Sequence, residues 1–169
     1  NEKTTFEESL LNSLPSFNGL WFPEKINKLP ESFFINIETL SYHEIAFTVL
    51  KNITTFKISD DRLKAVIQKA FNFPVKLREL NEKIHILETF HGPTHTFKDF
   101  GARFLACYLE EYLSNSDVKY NVLVSTSGDT GSAIASAFYK IPNIKVTILY
   151  PKNRVSKIQE IQMTKQLIY

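Results

Sequence analysis

At positions 121–132 the chain reads NVLVSTSGDTGS, and this stretch decides the fold. It opens with a short apolar run that is typical of a buried strand, and eight small polar residues follow. An alanine-rich helix is predicted after them at 133–138, and a second strand at 144–150. A strand, a loop, a helix and a strand in this order predict a parallel sheet, because parallel strands need a crossover connection.

The loop at 125–130 is a candidate anion-binding site. Free backbone N–H groups and the helix dipole both attract anions at a helix start, and Gly128 lets a ligand approach the backbone. Four hydroxyl side chains add donors: Ser125, Thr126, Ser127 and Thr130. The alternative is an ordinary capped helix start, although eight small polar residues exceed what capping needs. Asp129 repels an anion, so it either turns away to cap the helix or meets a hydroxyl or cation of the ligand.

A second candidate segment reads HGPTHTFKDFG at 91–101. Apolar residues at helical spacing follow it and predict a helix to about Ser114. Thr96 and Asp99 have the spacing of a capping box, which places Lys98 in the first helical turn. The positive end of the helix dipole there favours the uncharged amine that attacks an aldehyde. A solvated surface charge is the alternative for a lysine in this position.

The first 90 residues are predicted to be scaffold, since four of the five glycines lie at positions 92–131. The run TTFEE at 4–8 resembles a capping box and predicts a helix to about Leu14. A second helix is predicted to start at Ser41, with Glu44 as its reciprocal cap.

Three further elements are predicted before the lysine segment. A helix should follow Ser59, because two aspartates there suit the positive end of a helix dipole. Strand-like runs at 75–80 and 84–90 predict a half-buried hairpin.

Composition excludes several classes of protein. The net charge of +2 gives no strong electrostatic case for nucleic acid or an anionic membrane as a partner. No apolar run approaches the roughly 18 residues of a membrane helix. A lone Cys107 excludes an internal disulfide and fits a reducing compartment, so we expect a cytoplasmic protein. His91 and His95 are separated by Gly92 and Pro93, which argue against a helix that would align them, and no metal is expected.

With the lysine and the polar loop both in view, the chain resembles the fold-type-II pyridoxal-phosphate enzymes, and among them the threonine synthase family. HGPT at 91–94 and FKDF at 97–100 resemble the cofactor-lysine segment, and TSGDTG at 126–131 resembles the substrate loop. Asp129 favours threonine synthases, since related cysteine synthases usually carry Asn there. Three further segments resemble this family: NGLWFP at 18–23, LYPK at 149–152 and SKIQ at 156–159.

The resemblance implies an α/β fold of fold type II. A helical, threonine-synthase-like N-terminal region at 1–90 would precede the lysine segment and part of a parallel-sheet small domain at 91–169. It implies pyridoxal 5'-phosphate (PLP) as cofactor, with Lys98 as the catalytic residue and Lys98 and Asp129 as cofactor-binding residues. The substrate-binding residues would be Ser125, Thr126, Ser127, Gly128 and Thr130 for the carboxylate, with Arg154 and Lys157 as candidates for the phosphate.

The implied reaction is the conversion of O-phosphohomoserine and water to threonine and phosphate, the last step of threonine biosynthesis. Threonine synthases are more than twice as long as this chain, and the family's later cofactor-phosphate loop has no counterpart in it. We therefore expect a truncated chain that neither holds PLP tightly nor turns over substrate. Either the rest of the protein is missing or disordered, or the chain self-associates through an exposed apolar face. The alternatives are a related fold-type-II phospho-lyase and a non-catalytic truncated module.

Overall fold

A computed structural model describes residues 2–165 of the chain. It divides into two compact units, one up to Ile67 and one from Gln68 onward. The division after residue 90 separates two segments by their resemblance to parts of the threonine synthase family, and not two compact units. It stays a prediction. Within the described part of the chain, no helix is long and apolar enough to cross a membrane.

The first unit is helical. Its elements are α1 (Phe6–Leu11), α2 (Glu31–Ile35), a short 3-10 helix (Ile37–Thr39), α3 (Tyr42–Ile53) and most of α4 (Asp60–Ala70). Capping boxes start α1, at Thr5 and Glu8, and α3, at Ser41 and Glu44. These predicted starts, and that of α4 after Ser59, are confirmed. However, α1 ends before the predicted Leu14, and α2 and the 3-10 helix were not predicted.

The second unit begins with an antiparallel hairpin of β1 (Lys76–Asn81) and β2 (Ile84–Glu88). The hairpin was predicted, but the expectation that its strands are half-buried is wrong. Leu77 is 66% exposed and Ile84 is 52% exposed. Alternation determines which side chains share a face of a strand, but a face is buried only when another layer packs on it. All residues of β1 are exposed, as are those of β2 up to Leu87.

The rest of the second unit carries the predicted parallel pair. Its elements are α5 (Lys98–Tyr112), β3 (Tyr120–Ser125), α6 (Asp129–Ala137), β4 (Ile144–Leu149) and α7 (Lys157–Lys165). The strands β3 and β4 are parallel and in register from Tyr120 opposite Ile144 to Ser125 opposite Leu149. This confirms the strand, loop, helix and strand order predicted from the sequence.

Close packing fixes the start of α6. A Cβ on Gly131 would lie 2.7 Å from Sδ of Met163 in α7 and 3.3 Å from Cγ2 of Ile148 in β4. Ala133 and Ala135 are also buried on this helix. Small side chains therefore let α6 approach its neighbours, which holds the preceding loop in place.

Candidate active site

Lys98 is the first residue of α5, as predicted. Its N–H group donates a 3.0 Å hydrogen bond to the hydroxyl of Thr96. The predicted capping box between Thr96 and Asp99 is wrong. The Asp99 carboxylate is buried and accepts hydrogen bonds from the N–H group of Thr94 at 2.9 Å and from its hydroxyl at 2.7 Å. A buried carboxylate needs such donors, and Thr94 supplies two of them.

The histidines of the preceding loop have separate surroundings. His91 lies 2.7 Å from the Glu88 carboxylate through Nε2. His95 has a left-handed backbone with φ 58°. Within the described residues, no three His, Cys, Asp or Glu side chains form a group that could hold a metal ion.

The loop after β3 is held by its own hydrogen bonds. The hydroxyl of Thr126 accepts from the N–H groups of Gly128 at 3.1 Å and Gly131 at 3.0 Å. Gly128 has φ 157° and ψ −100°, a backbone conformation that side chains disfavour. A Cβ at this position would also lie 2.6 Å from Cδ of Gln159. Thr126 therefore shapes the loop from within.

Three donors in the loop are left without an acceptor. Within residues 2–165, the N–H groups of Ser127, Asp129 and Thr130 make no hydrogen bond, and α6 has no side-chain cap. They lie at the positive end of the α6 dipole. This arrangement supports the predicted anion-binding role of the loop.

Asp129 does not cap α6. Its Oδ1 accepts a 2.7 Å hydrogen bond from Nε2 of Gln159 in α7. Gln159 also forms a capping box with Ser156: its N–H group donates to the Ser156 hydroxyl at 3.2 Å, and its Oε1 accepts from the Ser156 N–H group at 3.1 Å. Gln159 was not predicted as a site residue. Its spacing of three positions from Ser156 is a capping-box signal that would have located the start of α7, but not the contact with Asp129.

The predicted lysine and loop meet in one open cleft of about 410 Å³. Its lining residues are Lys98, Ser125, Thr126, Ser127, Gly128, Asp129, Thr130 and Gln159. The two cations predicted for a substrate phosphate do not line it. Arg154 is exposed in a turn where its N–H group donates to the carbonyl of Pro151, and Lys157 is exposed at the start of α7.

Comparison with known proteins identifies the family. Residues 1–71 match a family model described as the threonine synthase N terminus. The threonine synthase of Haemophilus influenzae is 41% identical over 160 residues, an alignment that covers 94% of this chain and 36% of that protein. The crystal structure of threonine synthase from Escherichia coli matches with a TM-score of 0.88 and 34% identity, covering 96% of this chain and 38% of that one. The chain belongs to the threonine synthase family.

The structure of a PLP-bound threonine synthase from Brucella melitensis also matches, with a TM-score of 0.86 and 31% identity over 95% of this chain. The family and the fold class inferred from the sequence motifs are therefore confirmed. The chain spans between 36% and 38% of the length of these three threonine synthases. It corresponds to the N-terminal part of the family.

Proposed function

We propose that the protein containing this chain uses PLP to convert O-phosphohomoserine and water to threonine and phosphate. The observation that carries the proposal is that Lys98 and the loop at 125–130 line the same cleft. Membership of the threonine synthase family supports the reaction, and the PLP-bound relative from Brucella melitensis supports the cofactor.

The residues of the cleft fit the chemistry of PLP. A primary amine suits the cofactor aldehyde, and Lys98 is the lysine among the lining residues. When bound, PLP supplies an electron sink for negative charge on the substrate carbons. Lys98 would hold the aldehyde through Nζ and, as a free amine, would move a proton between substrate carbons. Asp129 stays a candidate cofactor-binding residue, whose carboxylate would meet a hydroxyl or cation of PLP.

The loop would bind the substrate carboxylate. The N–H groups of Ser127, Asp129 and Thr130 are open donors, and the hydroxyls of Ser125, Ser127 and Thr130 lie around them in the cleft. Thr126 and Gly128 would contribute by fixing the loop shape. Arg154 and Lys157 stay candidates for the substrate phosphate, which leaves as inorganic phosphate.

Covalent labelling tests the assignment of the lysine. The protein that contains this chain is incubated with PLP, its lysine adducts are reduced with borohydride, and the labelled peptide is identified by mass spectrometry. We expect the label on Lys98 and its loss in Lys98→Ala, whereas the matched surface variant Lys140→Ala should keep it. A label on another lysine would overturn the assignment.

Product analysis tests the reaction. After incubation with PLP and O-phosphohomoserine, chromatography should show threonine and phosphate in equal amounts. Release of phosphate without threonine would favour the related phospho-lyase. Binding of O-phosphohomoserine with neither product nor label would favour the non-catalytic module.

A further inference from the structure

Gln159 makes hydrogen bonds both at the start of its own helix, α7, and to the first residue of α6. Its N–H group and Oε1 complete the capping box with Ser156 at the start of α7. Its Nε2 donates to the carboxylate of Asp129, the first residue of α6, at 2.7 Å. The amide thus places its acceptor on the helix cap and its donor in the cleft.

The Asp129 carboxylate is close to backbone N–H groups to which it could itself form hydrogen bonds. The N–H groups of Ser127, Asp129 and Thr130 have no acceptor within residues 2–165. Aspartate side chains accept readily from backbone N–H groups of their own turn. An unrestrained Asp129 carboxylate would therefore compete with a ligand anion for these donors. The hydrogen bond from Gln159 holds the carboxylate against α7 instead.

We infer that Gln159 is a positioning residue, which holds Asp129 so that the N–H groups of the loop stay open for the substrate carboxylate. The inference rests on the proposed function, since it takes this loop as the carboxylate site. A neutral amide suits the task because it donates to a carboxylate and adds no charge to the cleft. The missing side chain of Gly128 provides the space, since a Cβ there would lie 2.6 Å from Cδ of Gln159.

Gln159→Glu separates positioning from capping. Glutamate completes a capping box as well as glutamine does, so the start of α7 is kept. An ionised glutamate has no donor for Asp129, and two carboxylates in contact raise the pKa of one of them. In the double variant Asp129→Asn with Gln159→Glu, the donor and acceptor exchange places. The hydrogen bond is then restored with the same total charge as in the unmodified chain.

A ligand-free readout tests the position of Asp129. Amide NMR spectra of the three proteins are recorded from about pH 4 to about pH 7.5. We expect the signals of Ser127, Asp129 and Thr130 in Gln159→Glu to show a titration step above the ordinary carboxyl range of about 4. The double variant, in which the two side chains again share a hydrogen bond, should lack this step. Its absence from Gln159→Glu would overturn the inference.

Calorimetric titration with O-phosphohomoserine then links that position to binding. At neutral pH, Gln159→Glu should bind about tenfold more weakly than the unmodified protein, and the double variant should recover most of the affinity. A titration step in the spectra with unchanged affinity in Gln159→Glu would also overturn the inference. If the unmodified protein shows no binding although the step appears in Gln159→Glu, the positioning of Asp129 stands and the proposed substrate is wrong.

Discussion

Thr94 donates two hydrogen bonds to Asp99, from its N–H group to Oδ2 at 2.9 Å and from its hydroxyl to Oδ1 at 2.7 Å. Asp99 is 0% exposed and directly follows Lys98 in α5. This pair therefore joins the lysine's helix to the loop that precedes it.

Removal of the Asp99 carboxylate should destabilise the second unit. Asp99→Ala leaves two buried donors of Thr94 without an acceptor, and we expect a loss of roughly 1.5–3 kcal/mol in the free energy of unfolding. Urea denaturation followed by circular dichroism measures it. Thr94→Ser keeps both donors and serves as the control. An unchanged midpoint in Asp99→Ala would show that the pair contributes nothing to stability.

Two glycines of the lysine segment should respond to alanine in opposite directions. A Cβ on Gly92 would lie 2.7 Å from Cβ of Asp99, so Gly92→Ala must displace the pair and should be destabilising. A Cβ on Gly101 would have no atom within 4 Å, and this residue is inside α5. Gly101→Ala should stabilise the helix by about 0.5–1 kcal/mol. Thermal unfolding compares the variants, and a shift in the same direction for both would contradict this reading.

Ser127→Ala tests a loop hydroxyl that the fold does not use. Within residues 2–165, the side chain of Ser127 makes no hydrogen bond, so stability should not change. The affinity for O-phosphohomoserine should fall about tenfold to a hundredfold, the equivalent of one hydrogen bond of roughly 1.5–3 kcal/mol to a charged group. Separate titrations with substrate and with PLP measure the two affinities. A fall in PLP affinity alone would mean that this loop binds another ligand.

Thr126 should behave differently, because its hydroxyl accepts from the N–H groups of Gly128 and Gly131. Thr126→Val removes that acceptor at nearly constant volume and should lower both stability and substrate affinity. Thr126→Ser keeps it and should preserve the loop. Parallel unfolding and titration experiments distinguish this shaping role from direct contact, for which stability in Thr126→Val would be unchanged.

Cys107 should react slowly in the folded protein. Burial raises the pKa of its thiol, and the charges of Arg103 and Lys69 offset this only in part. At about pH 8 the thiolate fraction should therefore be smaller than that of a free cysteine, whose pKa is about 8.5. Alkylation followed by mass spectrometry in native buffer and in urea measures the difference. Equal alkylation rates in native buffer and in urea would show that folding does not protect the thiol.

Local signals in the sequence predicted helix starts well. A capping box involves residues three positions apart, so Thr5 with Glu8 and Ser41 with Glu44 could be recognised without knowledge of the fold. The same rule failed at Asp99, because the buried donors of Thr94 offered its carboxylate a better partner. Competition of this kind depends on burial, which sequence spacing does not contain.

Some residues of the site were predicted from the sequence and others were not. Lys98 and the loop residues were assigned to one site through their resemblance to the family motifs, because the spacing within each segment does not show that the two share a cleft. Gln159 was missed because its contact with Asp129 joins residues 30 positions apart. Exposure of the hairpin was missed because alternation in the strands does not reveal whether a layer covers them.

The long sequence separation across β3 and β4 has a consequence for folding kinetics. The hairpin pairs residues close in sequence, whereas Tyr120 pairs with Ile144 only after α6 has bridged the two strands. Because closing longer loops costs more entropy, we expect the hairpin to form early and the parallel pair late. Pulse-labelled hydrogen exchange should then protect β1 before β4. The cleft lined by Lys98 and the loop after β3 would thus form late, and incompletely folded chains would lack it.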